Sequence, residues 1–163
     1  MNAAVSMRAS LDEVTQFIYR EARLQDEHQY AAWEALWTDD GVYWLPANGE
    51  GVDPEQEMSI LYDNRSRIAL RVRQLLSGKR HAQLPPSRLR RLISNIEIMA
   101  IDGEELSVDC NSLVFESNAR GETLWVARNH YRLRRVADEL RMAFKKVVLV
   151  NNDRALFTVA FLL

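Results

Sequence analysis

Residues 85–115 read PPSRLRRLISNIEIMAIDGEELSVDCNSLVF, and the texture of this stretch decides the fold. After Pro85-Pro86, apolar residues recur at every second position, as Ile96, Ile98 and Ala100 and then Leu106, Val108 and Cys110, on either side of Asp102-Gly103. Alternation with period two marks a half-buried strand, and Asp-Gly between two such runs marks a hairpin turn. At Leu113 and Phe115 the apolar parity flips, which predicts a β-bulge near Ser112. The same texture continues downstream. Asn118-Ala119-Arg120-Gly121 reads as a turn before a strand over 123–135, and Ala137-Asp138-Glu139 as a turn before a strand over 140–150. After Asn151-Asn152-Asp153, a closing apolar strand is expected over 156–163.

Upstream of Pro85 the period is helical. Ser10 and Glu13 have the spacing of a capping box, and Val14, Phe17, Ile18 and Ala22 follow at helical intervals, so a helix is expected over 11–25. Tyr30, Trp33, Leu36 and Trp37 place a second, shorter helix over 30–37, stopped by Thr38-Asp39-Asp40-Gly41. A strand over 42–45 ends at Pro46, and residues 47–56, with Gly49, Gly51, Pro54 and several acids, read as an exposed loop. After an apolar run over 58–62, Asp63 is placed to cap a helix whose buried stripe is Ile68, Val72, Leu75 and Leu76, stopping near Gly78. Helices in the first half and a meander of long strands in the second predict an α+β fold, its helices laid on one face of a strongly curved antiparallel sheet.

A chain of 163 residues, 47% apolar and 27% charged with 6 Gly and 4 Pro, fits one ordered domain over 1–163, with residues 1–10 as a flexible arm. Its net charge of −2 hides a strong segregation. Residues 1–64 carry −10, residues 65–96 carry +9 with no acid at all, and residues 97–163 carry −1. Helix-turn-helix, zinc-finger and RNA-binding signatures are absent, and the neighbouring acidic segment would repel phosphate, so no nucleic-acid partner is expected. Of 21 basic residues, 18 are Arg, whose planar fork suits buried or interfacial ion pairs better than ammonium does. The acidic and basic segments are therefore expected to pair with each other or with a partner chain.

The single cysteine, Cys110, rules out an intrachain disulfide framework and any Cys-based metal centre built by this chain alone. With no apolar run of membrane-spanning length and no signal-peptide pattern, a cytoplasmic location and no membrane contact are expected. A Rieske cluster needs two Cys and two His, and a facial-triad iron site needs two His and a carboxylate. The histidines are only His28, His81 and His130, spread over a helix start, a loop and a strand, and no metal site is expected from them. There is no GxSxG, Walker loop or GxGxxG. What remains for chemistry is acid–base work by His28, Asp63, His81 or Tyr43, each with a structural reading beside it: Asp63 as a helix cap, Tyr43 at the core edge. Trp33, Trp37, Tyr43, Trp44 and Trp125 could line a ligand pocket, although aromatics at such spacing mostly fill a core.

Several runs, taken in order, resemble a known family. Glu21-Ala22-Arg23-Leu24, Trp33, Leu36 and Tyr43-Trp44-Leu45-Pro46 are similar to the opening of the small (beta) subunits of Rieske-type aromatic-ring-hydroxylating dioxygenases. The middle resembles them more specifically, through Tyr62-Asp63-Asn64-Arg65, Arg71-Val72-Arg73-Gln74-Leu75 with Gly78, Pro85-Pro86-Ser87-Arg88, and Arg91-Leu92-Ile93-Ser94-Asn95-Ile96. Lys145-Lys146-Val147-Val148-Leu149-Val150-Asn151 leans toward the benzoate, toluate and anthranilate branch. The resemblance spans residues 11–163.

It implies the cone-shaped roll shared with nuclear transport factor 2, ketosteroid isomerase and scytalone dehydratase. It also implies a structural, non-catalytic subunit, with no cofactor of its own, of a hetero-oligomer in aromatic catabolism. The partner large (alpha) subunit would hold the Rieske [2Fe-2S] cluster, the mononuclear non-haem iron and the substrate pocket, commonly in an alpha3beta3 hexamer in which this chain self-associates as a trimer. The whole enzyme would add both atoms of dioxygen to an aromatic ring as a cis-dihydrodiol, with electrons from NADH through a reductase, sometimes via a ferredoxin. Arg65, Arg71, Arg73, Arg88, Arg91 and Asn95 are the candidates for a partner interface or a structural arginine network; in the internal version, Arg88 or Arg91 pairs with Glu21 or Asp63. The rival reading is a stand-alone isomerase- or dehydratase-like enzyme or binder on the same roll, its pocket lined by His28, Trp33, Tyr43, Asp63 and His81.

Overall fold

Residues 3–78, 85–153 and 161–163 are described in a computed structural model of the chain. Helix α1 runs over Ala3–Asp26, α2 over Tyr30–Glu34 and α3 over Arg65–Leu76. The strands are β1 (Trp37–Pro46), β2 (Ser59–Asp63), β3 (Arg88–Asp102), β4 (Glu105–Asn118), β5 (Gly121–Val136) and β6 (Glu139–Leu149). Together they form one curved, unclosed sheet in the order β2-β1-β6-β5-β4-β3. The α+β roll expected from the sequence is present. One pairing departs from the antiparallel expectation: β1 lies parallel to β6, because the chain returns to that neighbour only after the whole meander has been laid down.

Helix α1 begins well before Leu11, so Ser10 lies inside the helix and does not cap it. Ala3, Ala4, Met7, Arg8 and Ala9 are strong helix formers that carry the helix through the predicted start. Helix α2 stops at Glu34, three residues short of the expectation, because Trp37–Asp40 are drawn into β1 by pairing with β6. The Met142 amide donates to the Leu36 carbonyl at 2.7 Å, and the register shift between Trp37 and Val42 absorbs the polar stretch. Gly41 is required there, since a Cβ would come within 2.6 Å of the Trp37 ring.

Asn64, not Asp63, caps α3; its side chain accepts from the Arg67 amide at 3.0 Å. Only the residue directly before the first helical turn can reach those amides, and Asp63 is instead the last residue of β2. Ile68, Val72 and Leu75 form the buried stripe, whereas Leu76 is exposed.

The bulge expected near Ser112 is not in β4, which pairs with β5 in unbroken register from Glu105 to Asn118. The irregularities lie on β3, between Ser94 and Glu97 and between Ile98 and Ala100. Leu113 and Phe115 face outward, while Ser112, Val114 and Glu116 face inward. Glu116 is tolerated inside because the Ser87 hydroxyl and the Trp125 indole donate to its two oxygens at 2.7 and 3.1 Å. The closing strand predicted over 156–163 falls mostly outside the described residues. Its last three, Phe161, Leu162 and Leu163, are buried.

The core sits between the helices and the inner face of the sheet, where Val108, Cys110, Val114, Trp125, Ala127, Tyr131, Leu133, Met142, Val147 and Leu149 meet Val14, Phe17, Ile18 and Trp33. No helix among the described residues is long and apolar enough to cross a membrane.

Candidate functional site

The basic block divides into inward and outward arginines. Arg65 pairs with Glu34 at 3.0 Å and Arg71 with Asp63 at 2.7 Å. Arg91, its side chain 2% exposed, pairs with Asp26 at 2.6 Å and also donates to the Leu162 carbonyl, while its amide donates to the second Asp26 oxygen. The partner is neither Glu21 nor Asp63. Asp26 closes α1 beside β3, whereas Glu21, more than a turn earlier, points to the centre of the roll. Arg67, Arg73, Arg88 and Arg90 are exposed, and so is Asn95, which takes a left-handed backbone with φ of 56° at the first β3 irregularity.

At the centre of the roll a carboxylate and an ammonium are buried together. Lys145 reaches Glu21 at 2.7 Å, both side chains being 2% exposed. The Trp33 indole donates to the same Glu21 oxygen at 3.0 Å, and the Tyr131 hydroxyl to the other at 2.7 Å. The ammonium also lies over the rings of Tyr131 and Tyr43, at 5.5 and 5.9 Å. Burial holds Lys145 below its ordinary value against the opposing pull of Glu21. Burial, and after it the Glu21 charge, pushes both the Tyr43 and the Tyr131 hydroxyls up. The Tyr43 hydroxyl is in turn closed off by the chain end: it donates to the Leu163 carbonyl at 2.6 Å and accepts from the Leu163 amide at 2.9 Å. Trp33, Trp37 and Tyr43 pack against one another with centroids 5.6 to 5.8 Å apart.

Chemically the Glu21 carboxylate is saturated, while the buried Trp37 indole N–H nearby has no hydrogen-bond partner. Both Glu21 oxygens are engaged by three donors, the tyrosines are held protonated, and the Cys110 thiol is pushed up to about 11 by burial, so it is no nucleophile at neutral pH. The sequence reading names Glu21 as a partner for Arg88 or Arg91 and does not pair it with Lys145. The signal was present in the run from Lys145 to Leu149, where Lys145 shares inward parity with Val147 and Leu149.

Of the five residues assigned to a pocket, the structure brings together Trp33 and Tyr43. His28 is engaged elsewhere: Nε2 donates to the Ser87 carbonyl at 2.8 Å, and Nδ1 accepts from the Tyr30 hydroxyl at 2.6 Å. Asp63 is committed to Arg71. His81 lies outside the described residues. A groove of about 540 Å³ opens elsewhere, between α1, the segment after α2 and the β5–β6 hairpin; Glu13, Phe17, Arg20 and Arg141 are among its lining, and none of His28, Trp33, Tyr43 or Asp63 is. Among the described residues, no three His, Cys, Asp or Glu side chains converge as metal ligands would.

The outer face of the sheet is partly roofed by the chain itself. Lys146 lies 4.5 Å from the Trp44 ring and Arg132 4.8 Å from the Phe144 ring. The 47–56 loop is pinned over this area, because Lys146 donates to the Glu50 carbonyl at 2.8 Å and His130 stands between Glu50 at 2.6 Å and Asp109 at 2.8 Å.

This architecture has relatives. The chain is 34% identical over 139 residues to the small oxygenase component of the p-cumate 2,3-dioxygenase system of Pseudomonas putida, covering 84% of this chain and 77% of that one. The crystal structure of the beta subunit of a benzoate 1,2-dioxygenase from Burkholderia mallei superposes with a TM-score of 0.76 at 25% identity, covering 91% of this chain and 95% of the other. An NTF2-like protein with a cystatin-like fold from Novosphingobium aromaticivorans shares the fold, with a TM-score of 0.66 at 20% identity and coverage of 91% and 87%. Residues 20–153 match the model of the ring hydroxylating beta subunit family, and the chain belongs to that family.

Proposed function

We propose that this chain is a non-catalytic, structural subunit of a bacterial aromatic-ring-hydroxylating dioxygenase, supporting the oligomer in which an iron-bearing large subunit works. The observation that carries this reading is the filled interior: the place where a roll of this kind could hold a substrate is occupied by Glu21, Lys145, Trp33, Trp37, Tyr43 and Tyr131, packed together. The Glu21 carboxylate, accepting from Lys145, Trp33 and Tyr131, is committed to them and leaves no acid–base pair to offer. The Rieske [2Fe-2S] cluster, the mononuclear iron and the dependence on NADH belong, in this reading, to the large subunit and its electron donors. Arg65, Arg71 and Arg91 serve as the internal network, and Arg73, Arg88 and Asn95 belong to the surface that meets partner chains. The assembly is cytoplasmic, with this chain as a trimer within an alpha3beta3 hexamer.

The test is affinity purification of the chain from its native cells, followed by native mass and iron analysis. A larger chain in equal stoichiometry, carrying iron, is the expected result. Recovery of the chain alone and iron-free under gentle conditions would overturn the reading.

A further inference from the structure

A row of side chains crosses the outer face of the sheet from strand to strand. Register sets Asp109 of β4 beside His130 of β5, His130 beside Lys146 of β6, and Lys146 beside Trp44 of β1. The 47–56 loop meets this row at Glu50. Glu50 Oε1 stands 2.6 Å from His130 Nε2, and the Glu50 carbonyl accepts from Lys146 at 2.8 Å. Lys146 in turn lies 4.5 Å from the centre of the Trp44 ring, and Trp44 is 7% exposed. The start of the loop is fastened separately, by Asn152, whose backbone and side-chain carbonyls accept from the Asn48 and Gly49 amides at 2.9 and 3.0 Å. Glu50 lies between Gly49 and Gly51, so the backbone on either side of it turns with little steric resistance.

The grip on Glu50 depends on a count of protons. His130 Nδ1 stands 2.8 Å from Asp109 Oδ1, while Nε2 is sealed from solvent and has no hydrogen bond in line with it, so what it offers Glu50 is its charge. An ionised carboxylate only accepts, and a neutral imidazole carries one N–H for its two nitrogens. In either neutral tautomer, one ring nitrogen turns a lone pair on a carboxylate oxygen. The imidazolium has N–H on both sides and a positive charge, and it alone suits both carboxylates. The charged groups about the ring are Asp109 from β4, Glu50 from the loop, Lys146 from β6, and Arg128 and Arg132 from β5 itself. Arg128 is held by Asp109 at 2.9 Å and Arg132 by Glu105 at 3.5 Å, and Lys146 is turned to the Glu50 carbonyl and the Trp44 ring. Among the described residues, His130 is therefore the one ion partner of the Glu50 carboxylate. That carboxylate, its side chain 55% exposed, has water as its alternative, so one proton tips the balance.

We infer that the 47–56 loop is a strap latched by a proton: Glu50 holds it over Lys146 and Trp44 while His130 is an imidazolium, and lets go when the ring is neutral. Histidine changes charge between about pH 5 and 8, a range in which carboxylates, lysine and arginine keep theirs. The strap is thus closed at the acid end of that range and released at the alkaline end, with Asn152 anchoring its start in both states. The inference goes beyond the subunit reading and does not rest on it.

The test is quenching of tryptophan fluorescence in the full chain by acrylamide, a neutral quencher, between about pH 5.5 and 8, with folding checked by circular dichroism at each pH. Trp33, Trp37 and Trp125 are buried in the core, so movement of the strap is read at Trp44, and Trp44→Phe supplies the background. The Trp44 share of the quenching constant is expected to rise about twofold across the range along a one-proton curve. Glu50→Ala, which removes the grip and leaves the sheet intact, is expected to hold that share at its high value throughout. A flat wild-type profile overturns the inference. So does Glu50→Ala with the wild-type step preserved, since another group would then be titrating, and so does the full step persisting in Trp44→Phe.

Discussion

On each face of this sheet a few groups run against the prevailing polarity. The inner face buries an ammonium and a carboxylate at the centre of the core, and the outer face leaves leucines, a phenylalanine and valines open. Inside, every charge has been given partners, so the charges act as a lock on the arrangement of aromatic rings and do not act as reagents. Outside, Leu92, Leu124 and Val150 stand exposed among the described residues.

The inner face can be broken most severely at Lys145. Lys145→Met leaves the Glu21 carboxylate buried without its cation, and chemical denaturation should show a loss of about 3–5 kcal/mol. The double variant Glu21→Gln/Lys145→Met should regain most of it. A single-variant loss of under about 1 kcal/mol would mean that the pair is better hydrated than its burial indicates. Next comes the mouth of the roll, where Asp26→Asn strands the buried Arg91; about 2–3 kcal/mol should be lost, with the Leu162 carbonyl as the remaining acceptor. Tyr43→Phe removes both bonds to Leu163 without emptying space, and should lower stability by about 1–2 kcal/mol in the same assay.

The smallest effect belongs to the exposed pair Arg135–Glu13, 36% and 41% exposed, worth on the order of 0.5 kcal/mol in low salt. Its pH dependence has a definite sign. The Arg135 hydrogen bonds hold Glu13 below its ordinary value, near 4.3 for a free glutamate, so the contribution is complete above that pH and is lost as pH falls through the lowered value. Arg135→Ala should therefore cost stability at pH 7 and converge with the wild type in acid; a difference that grows on acidification would refute the assignment.

Much of the fold is legible in the sequence because the two periods are clean: helical spacing before Pro85 and alternation after it mark almost every element. The misses have physical causes. Helix α1 was cut short at Ser10 because a capping-box spacing does not reveal whether the residues before it prefer the helix. Apolar parity alone puts Leu113 and Phe115 inward and demands a bulge on β4, whereas the inward positions there hold Ser112 and Glu116. Apolar parity identifies the buried face only where the other face is polar, and Leu113 and Phe115 make the outward positions apolar here. For the same reason the exposed Leu92, Phe115 and Leu124 read as ordinary strand residues. The arginine block was recognised, but which arginines turn inward depends on Asp26, Glu34 and Asp63 arriving from other elements.

Strand β3 has a consequence for the newly made chain. Among the described residues it is a sheet edge 15 residues long, adjoining exposed apolar surface, and such an edge is a template for uncontrolled strand addition and fibre growth. The left-handed Asn95 and the two register breaks interrupt it midway, so an incoming strand finds no long straight row of free amides and carbonyls. The exposed apolar surface beside it is thus kept from any continuous edge on which aggregation could start.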